Sequence, residues 1–394
     1  MDRRRVCVTG ATGFIGGRLT EVAVARGNDV TCLVRTWHKA ARLARFPVRF
    51  VHGDIQQPES LLEAMKGCEV VFHCAVDFAV PWERHRRLNT DGTVNVMRAA
   101  HAAGIRRVVY LSSIAVHGYA PRPGAATEDA PLVYTGNPYC DGKIDAERAI
   151  LEHGRRYGVG VTVLRPTIVY GPFGTRWTEL PVKEIRAGRM VLVNGGTGIC
   201  NALYVDNLVD AMFLAADREQ AAGEIFHISD ARPVTWREYM EAHARALGDG
   251  YLPLPERTVE EIALARKATR QASVSSVRQV ARLVADPRVR RALRSIPALA
   301  RAERYGRAAA RVMLPAMLRR RLRAFVRHQS TPGRNGAGRA EPAPYLPDED
   351  DVQMYTVNVV FSIDKARRLL AYQPRVDFNE GMRRTAAWIR WARV

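Results

Sequence analysis

The chain has 394 residues, 47% of them hydrophobic and 25% charged, with 60 Lys and Arg against 40 Asp and Glu, a formal net charge of +20. That length accommodates two to three domains with cores of their own, and the composition is that of an ordinary globular protein. The excess charge is local: positions 256–345 carry 21 Arg and Lys against 6 Asp and Glu, an excess of 15 that leaves 5 for the rest of the chain, so the basic character describes one segment's surroundings. The six cysteines, Cys7, Cys32, Cys68, Cys74, Cys140 and Cys200, form no C-x-x-C pair and fall mostly in apolar runs, which predicts reduced structural thiols in a cytoplasmic protein. No H-x-x-x-H pair occurs among the histidines, so no metal site is expected. The basic start Arg3–Arg5 is followed by a short strand instead of an apolar signal region, and no apolar run is long enough to span a bilayer.

From Val6 to about Leu164, short Val-rich runs alternate with helix-period segments, which predicts an α/β fold with a doubly wound parallel sheet. Strands are expected at Val6–Val8, Val30–Val34, Val48–Val51, Val70–Cys74, Arg107–Leu111 and Val161–Leu164. In such a sheet the ligand lies beyond the carboxyl ends of the strands, so the residues just after each run carry the information. After the first run come Gly10, Gly13 and Gly16, with a helix expected over Arg18–Arg26. Gly10 permits a tight turn, Gly13 lets backbone N–H groups approach a pyrophosphate, and Gly16 lets helix and strand pack closely. After the second run comes Arg35, 19 positions beyond Gly16, with Lys39 near it. A dinucleotide-binding fold that prefers NAD places an acid there; an arginine attracts the 2′-phosphate of NADP, so NADP(H) is the preferred expectation and NAD(H) the alternative. The third run is followed by Asp54 and Ile55, suited to the adenine edge, and the fourth by Cys74 and Ala75, small enough for close approach of a cofactor.

The fifth run ends in Ser112-Ser113, and Tyr139 and Lys143 follow, four apart and so on one helix face. Asn137 and Pro138 read as the cap and first residue of that helix, and Gly154 as its stop. A free phenol has a pKa of about 10, and a neighbouring ammonium lowers it by favouring phenolate. A tyrosine so tuned exchanges a proton with a secondary alcohol near neutral pH, and Ser113 would hydrogen-bond the same oxygen.

These motifs, taken together, resemble the extended short-chain dehydrogenase/reductases of the NAD-dependent epimerase/dehydratase type. The likeness runs in family order through Thr9–Gly16, Asp54-Ile55, Asn89–Val96, Ser112-Ser113 with Val116–Gly118, Tyr139–Lys143, Arg165-Pro166 with Val169–Pro172, Tyr204–Asn207, Leu369–Pro374 and Glu380-Gly381, about three quarters of the chain. The resemblance implies that Tyr139 is the general acid/base, that Lys143 lowers its pKa and binds the nicotinamide ribose, that Ser113 polarises the substrate oxygen, and that Asn89 holds a relay water. It implies a cofactor lining of Gly10, Thr12, Gly13, Phe14, Ile15, Gly16, Arg35, Lys39, Asp54, Ile55, Cys74, Ala75, Tyr139, Lys143, Pro166 and Ile168. It also implies a homodimer paired through the helices after Asn89 and Asn137.

Three departures restrict the expected activity. Ser113-Ile114-Ala115 stands where the family's dehydratases carry Thr-Asp-Glu, which argues against dehydration. Cys200-Asn201 stands where nucleotide-sugar members commonly carry a diphosphate-binding arginine, leaving Arg176, Lys183, Arg186 or Arg189 for that task. Gly142 lies inside the Tyr139–Lys143 turn, where glycine costs a helix about 1 kcal/mol relative to alanine.

The expected organisation is a Rossmann-like domain over 1–166, with 199–216 returning to it, a smaller discontinuous α/β substrate domain over 167–255 and 346–394, and a basic helical insertion over 256–345. The substrate domain reads as a helix at Thr178–Gly188, a helix at Asn207–Ala216, a strand at Glu224–Ser229 and a helix at Thr235–Leu247 with a Thr235/Glu238 capping box. After the insertion it reads as a strand at Tyr355–Phe361, a helix at Ile363–Leu370 and a final helix at Gly381–Arg393. In the insertion, Arg319–Arg321 beside Leu322 and Phe325 fits peripheral contact with an anionic membrane, against the alternative of a lid with a solvated arginine face that the acidic run Asp348–Asp351 would pair with. Nucleic-acid binding is the weakest reading, because aromatics are few and no binding module is recognised. The function expected is oxidoreduction of a secondary alcohol and ketone on a small metabolite. Its alternatives are a nucleotide-sugar epimerase holding NAD tightly and a cofactor-binding regulator tethered by the basic segment.

Overall fold

The computed structural model describes residues 3–76, 82–119, 121, 126–269 and 346–394. The chain separates into two units, Met1–Val259 with Pro347–Val394, and Glu260–Leu346. Of the second unit the described residues are 260–269, which are helical, and Leu346. The membrane and lid readings of Arg319–Arg321, Leu322 and Phe325 lie outside the described residues, among which no helix is long and apolar enough to cross a membrane.

In chain order the first unit runs β1 (Arg5–Thr9), α1 (Phe14–Ala25), β2 (Asp29–Val34), β3 (Val48–His52), α2 (Pro58–Met65), β4 (Val70–His73), α3 (Trp82–Ala102), β5 (Arg107–Leu111), α4 (Pro138–Tyr157), β6 (Gly160–Pro166) and β7 (Ile168–Tyr170). It continues through α5 (Leu180–Arg186), β8 (Leu192–Val193), β9 (Ile199–Cys200), β10 (Ala202–Tyr204), α6 (Val205–Asp217), β11 (Ile225–Ile228), β12 (Val234–Thr235), α7 (Trp236–Leu247) and β13 (Glu256–Arg257). After the second unit come α8 (Glu349–Thr356), α9 (Asp364–Leu370) and α10 (Phe378–Ala392).

Seven strands form one sheet in the order β3-β2-β1-β4-β5-β6-β11, every neighbouring pair parallel, so the fold is the expected Rossmann-like α/β sheet. Strands covered on both faces are apolar on both, which is why the Val-rich runs do not alternate with polar residues. On one face Cys7, Val71, Val108 and Val163 pack with Leu61 and Met65 of α2, Met97 of α3 and Ile150 of α4. On the other, Phe72 meets Phe213 of α6 edge to face, with ring centroids 5.4 Å apart. The strand order reverses between β1 and β4, and that switch point is where such sheets open a crevice for ligands.

Several boundaries differ from expectation. Helix α1 begins at Phe14, directly on the glycine turn, instead of at Arg18. Helix α4 runs through Gly154 to Tyr157 and is closed by Gly158 in a left-handed conformation. Gly154 marks a close approach, since a Cβ there would lie 2.7 Å from the Val161 side chain of β6. Gly142 has a similar cause: its Cβ would stand 3.2 Å from the Arg86 Cα, so the glycine lets α3 and α4 cross closely. Tyr355–Phe361 is not a strand. Thr356 ends α8, and the residues that follow are tied by the Asn201 side chain, whose Nδ2 donates to the Val359 carbonyl and whose Oδ1 accepts from the Phe361 N–H. Position 178 lies in a π-helical turn ahead of α5, so the helix expected from Thr178 begins at Leu180. The Thr235/Glu238 capping box on α7 is present as expected.

Candidate active site

Helix α1 opens without a side-chain cap and without an acidic residue in its first turn. The first N–H groups of a helix have no intrahelical partner and carry its positive dipole end, so this terminus can receive an anion. Its approach is kept bare by glycine. A Cβ at Gly10, where φ is +73°, would lie 2.7 Å from the Ala75 backbone N, and one at Gly16 would strike the Gly10 carbonyl. Gly10 after β1 and Cys74-Ala75 after β4 therefore flank the switch point at backbone distance, and the turn fits the diphosphate of a dinucleotide. Thr12, Phe14 and Ile15 are partly buried around it, Ile55 is buried, and Pro166 and Ile168 are buried where β6 ends and β7 begins. At the end of β2, the half-exposed Arg35 guanidinium meets Asp54 at 3.3 Å, so the carboxylate expected at the adenine edge is paired with the arginine expected at the 2′-phosphate. Lys39 is exposed on the short turn after β2.

Across the switch point, Ser113 caps the turn after β5, and Tyr139 and Lys143 project from the first turns of α4. Asn137 caps α4 as expected, its Oδ1 accepting from the Tyr139 N–H at 3.0 Å. Tyr139, Lys143, Asn89 and Ala75 line one cavity together with His85, Thr93 and Tyr110, of which the sequence reading named none. A larger groove of about 370 Å³ opens between α7 and α10, rimmed by Arg232, Arg245, Arg383 and Arg390. It shares no residue with the cavity that Tyr139 and Lys143 line.

The electrostatics differ from expectation in one respect. Burial pushes the Tyr139 phenol above its ordinary pKa, and the opposing pull comes from the Ser113 hydrogen bond. Lys143 donates from Nζ to the Leu111 carbonyl at 2.7 Å and lies 5.0 Å from the Tyr110 ring centroid. Its own pKa is lowered by burial to about 8, against the upward pull of Glu147. Asn89 donates from Nδ2 to the His85 carbonyl at 2.8 Å, which uses one of its two amide protons within α3. Beneath the cavity, the Thr9 hydroxyl meets His73 Nδ1 at 2.7 Å and Thr93 meets His73 Nε2 at 3.2 Å, and burial lowers this imidazole to about 3.

Glu147 is a buried position beside the site that the sequence reading missed. It continues the Tyr139–Lys143 face by one turn, a spacing of four that was there to be read. Its carboxylate, buried with Arg165, accepts from the guanidinium at 2.7 Å and from the hydroxyl of Ser112, the neighbour of Ser113. Arg165 Nη1 goes on to the Glu128 carbonyl at 3.0 Å and to His117 Nε2 at 3.3 Å. His117 Nδ1 faces the Pro131 carbonyl at 3.1 Å and so carries the proton, leaving Nε2 to accept from Arg165 and from His227 at 3.0 Å. One buried carboxylate thus ties the catalytic-type helix to the ends of β5 and β6.

The acidic run after the second unit makes contacts within the first. Asp348 caps α8, Asp351 pairs with Arg176 at 2.5 Å, and Asp350 accepts from Asn137 Nδ2 at 2.8 Å. The other cations expected as diphosphate ligands are also occupied. Lys183 pairs with Glu179 at 3.0 Å, Arg189 with Glu184 at 2.7 Å, and Arg186 reaches the Arg393 carbonyl at 3.4 Å.

Comparison with known proteins places this arrangement. Residues 6–229 match the model of the NAD dependent epimerase/dehydratase family. The chain is 32% identical over 242 residues, 60% of its own length and 71% of the relative's, to a 4-hydroxy-2-methyl-3-oxo-4-farnesyl-3,4-dihydroquinoline-1-oxide ketoreductase of Stigmatella aurantiaca. It is 29% identical to a 2-alkyl-3-oxoalkanoate reductase of Stenotrophomonas maltophilia, over 62% of this chain and 76% of that one. It is 28% identical to a UDP-glucose 4-epimerase of Vibrio cholerae, over 64% and 78%. A solved dTDP-glucose 4,6-dehydratase of Streptomyces venezuelae with NAD bound superposes with a TM-score of 0.65 at 21% identity, covering 99% of this chain and 98% of that one, which shows the shared fold. Matched over more than half of its length and related to reductases and epimerases alike, this chain belongs to the NAD-dependent epimerase/dehydratase family of enzymes.

Proposed function

We propose that the protein is an NADP(H)-preferring oxidoreductase that interconverts a secondary alcohol and a ketone on a small metabolite. The observation that carries this reading is the convergence of Ser113, Tyr139 and Lys143 beside the bare glycine turn at the sheet's switch point. The nicotinamide of the bound dinucleotide supplies or accepts the hydride. Tyr139 holds the proton that the substrate oxygen gains or loses, and its raised pKa keeps the phenol protonated and ready to donate at neutral pH. Ser113 already hydrogen-bonds that phenol and orients the same oxygen. Lys143 holds positive charge beneath the site.

The lysine makes the reaction sensitive to pH. With a folded-state pKa of about 8, the ammonium gives up its proton as pH rises through that value, and kcat/KM is expected to fall with it. Stability moves the other way. An unfolded lysine titrates near about 10.4, so between about pH 8 and 10.4 the unfolded chain binds more protons and the fold gains stability with rising pH. A kcat/KM that stays level through this range would remove Lys143 from the reaction.

A nucleotide-sugar epimerase is the second reading, favoured by the Vibrio relative's name. It needs a cation for the sugar-nucleotide diphosphate, and of the four expected, Arg176, Lys183 and Arg189 each pair with a carboxylate, which leaves Arg186, 3.4 Å from the Arg393 carbonyl, for that task. The ketoreductase and oxoalkanoate reductase relatives support the first reading. The nucleotide itself tests it. The purified protein is expected to turn over with NADPH, and Arg35→Ser to weaken NADPH binding by about tenfold or more while leaving NADH unchanged. Tightly held NAD with no net turnover, or an equal loss for both nucleotides in the variant, would defeat the reading.

A further inference from the structure

Tyr139 is the second residue of α4, inside the first turn, where a helix frays and where its N–H groups depend on partners outside the helix. Its own N–H is held by Oδ1 of Asn137 at 3.0 Å. A carboxamide is nearly symmetrical in shape, and rotation by half a turn exchanges its oxygen for its NH2. In the rotated form two donors would face each other and the cap would be lost. The cap therefore requires something that tells the two ends of the amide apart.

That discrimination comes from 213 residues further along the chain. Asp350, half-buried in the first turn of α8, accepts from Asn137 Nδ2 at 2.8 Å, so the rotated amide would set its oxygen against a carboxylate. Burial first raises the pKa of the Tyr119 phenol and that of the Cys140 thiol, and the charge of the same carboxylate adds to each in the same direction. Its charge is also placed beside the N-terminus of α4, where the helix dipole favours an anion. Asp350 is itself held in place: Asp348 caps α8, and the next residue, Asp351, is buried against Arg176.

We propose that Asp350 is a positioning residue for Tyr139, locking the Asn137 amide in the one orientation that caps the helix carrying the phenol. The proposal rests on the reading of Tyr139 as proton donor, but the lock is measurable without any substrate. In the full-length protein, amide hydrogen exchange over residues 137–143 is expected to be about five- to tenfold faster in Asp350→Ala than in the wild type. Asp350→Asn, which keeps an acceptor oxygen, should exchange as the wild type does. Asn137→Ala should match Asp350→Ala, and the double variant should exchange no faster than Asn137→Ala alone, because both act through one amide. If Asp350→Ala does not fold, as judged by near-UV circular dichroism, Asp350→Ser replaces it with the same expectation. Unchanged exchange in the folded variant, an Asp350→Asn as fast as Asp350→Ala, or additive effects in the double variant would each overturn the proposal. With NADPH and a ketone, kcat should fall in Asp350→Ala and be restored in Asp350→Asn, while the KM for NADPH holds. Faster exchange with kcat unmoved would overturn the claim that the lock positions Tyr139 for turnover, while the assignment of Tyr139 as proton donor stands or falls on Tyr139→Phe.

Discussion

Tyr139→Phe is expected to lower kcat by about 10²–10⁴-fold, the usual contribution of a positioned acid or base, while the dissociation constant for NADPH stays close to that of the wild type. Only the phenolic oxygen is removed. The ring keeps its packing against His85, whose centroid lies 6.3 Å away, and the cap on the Tyr139 N–H is a backbone contact that phenylalanine retains. A large loss of turnover with cofactor binding preserved would therefore report on the proton and not on the fold. Cofactor titration by nucleotide fluorescence, beside single-turnover hydride transfer, separates the two. Turnover within a few-fold of the wild type would remove Tyr139 from the reaction. Ser113→Ala makes a graded companion, because it removes the one neighbour that pulls the phenol pKa down and leaves the effect of burial unopposed.

The second large effect is on stability. Glu147 and Arg165 are both 2% exposed as side chains, and the pair holds together the ends of β5 and β6 and the catalytic-type helix. Removing one partner of a buried ion pair leaves the other charge uncompensated, and Glu147→Leu is expected to cost about 3–5 kcal/mol in urea unfolding. Replacing both, as Glu147→Leu with Arg165→Met, should recover much of that loss, since the desolvation cost of two charges disappears together. A single-variant loss below about 1 kcal/mol would mean that water or a rearranged His117 takes over the lost contact. Activity should not recover in the double variant to the extent that stability does. Without Glu147 the upward pull on Lys143 is gone, and the Ser112 hydroxyl beside Ser113 has lost its acceptor.

Much of the nucleotide side was legible because its chemistry is local. Gly10, Gly13 and Gly16 follow an apolar strand and precede a helix, and a turn that brings a backbone within contact of Ala75 can be built from few other residues. Ser113, Tyr139 and Lys143 were legible for a related reason, since strand ends and a four-residue helical spacing place side chains without reference to distant parts of the chain. Gly154 misled because a glycine late in a helical pattern reads as a stop. Its cause is a close approach to Val161, a contact that does not depend on the helix's own sequence. The strand expected at Tyr355–Phe361 failed for a similar reason. Its apolar and β-branched residues suit an extended chain, but among the described residues only one backbone hydrogen bond, from Ile199 of β9 to the Val357 carbonyl, is made along it, and the side chain of Asn201 ties down the rest.

By itself the sequence determined the sheet, the glycine turn and the family, because each depends on strand period, helix period or turn geometry within a few residues. Tertiary structure alone decided which charges are available for function. Arg176, Lys183 and Arg189 looked like free cations for a diphosphate, and folding brings each against a carboxylate. Asp348–Asp351 reads as a single acidic run, and folding engages it in a helix cap, an ion pair and the amide that caps the helix bearing Tyr139. The physical reason is reach: a charge acts over a few ångströms in space, and its partner in this fold stands up to 213 residues away in sequence.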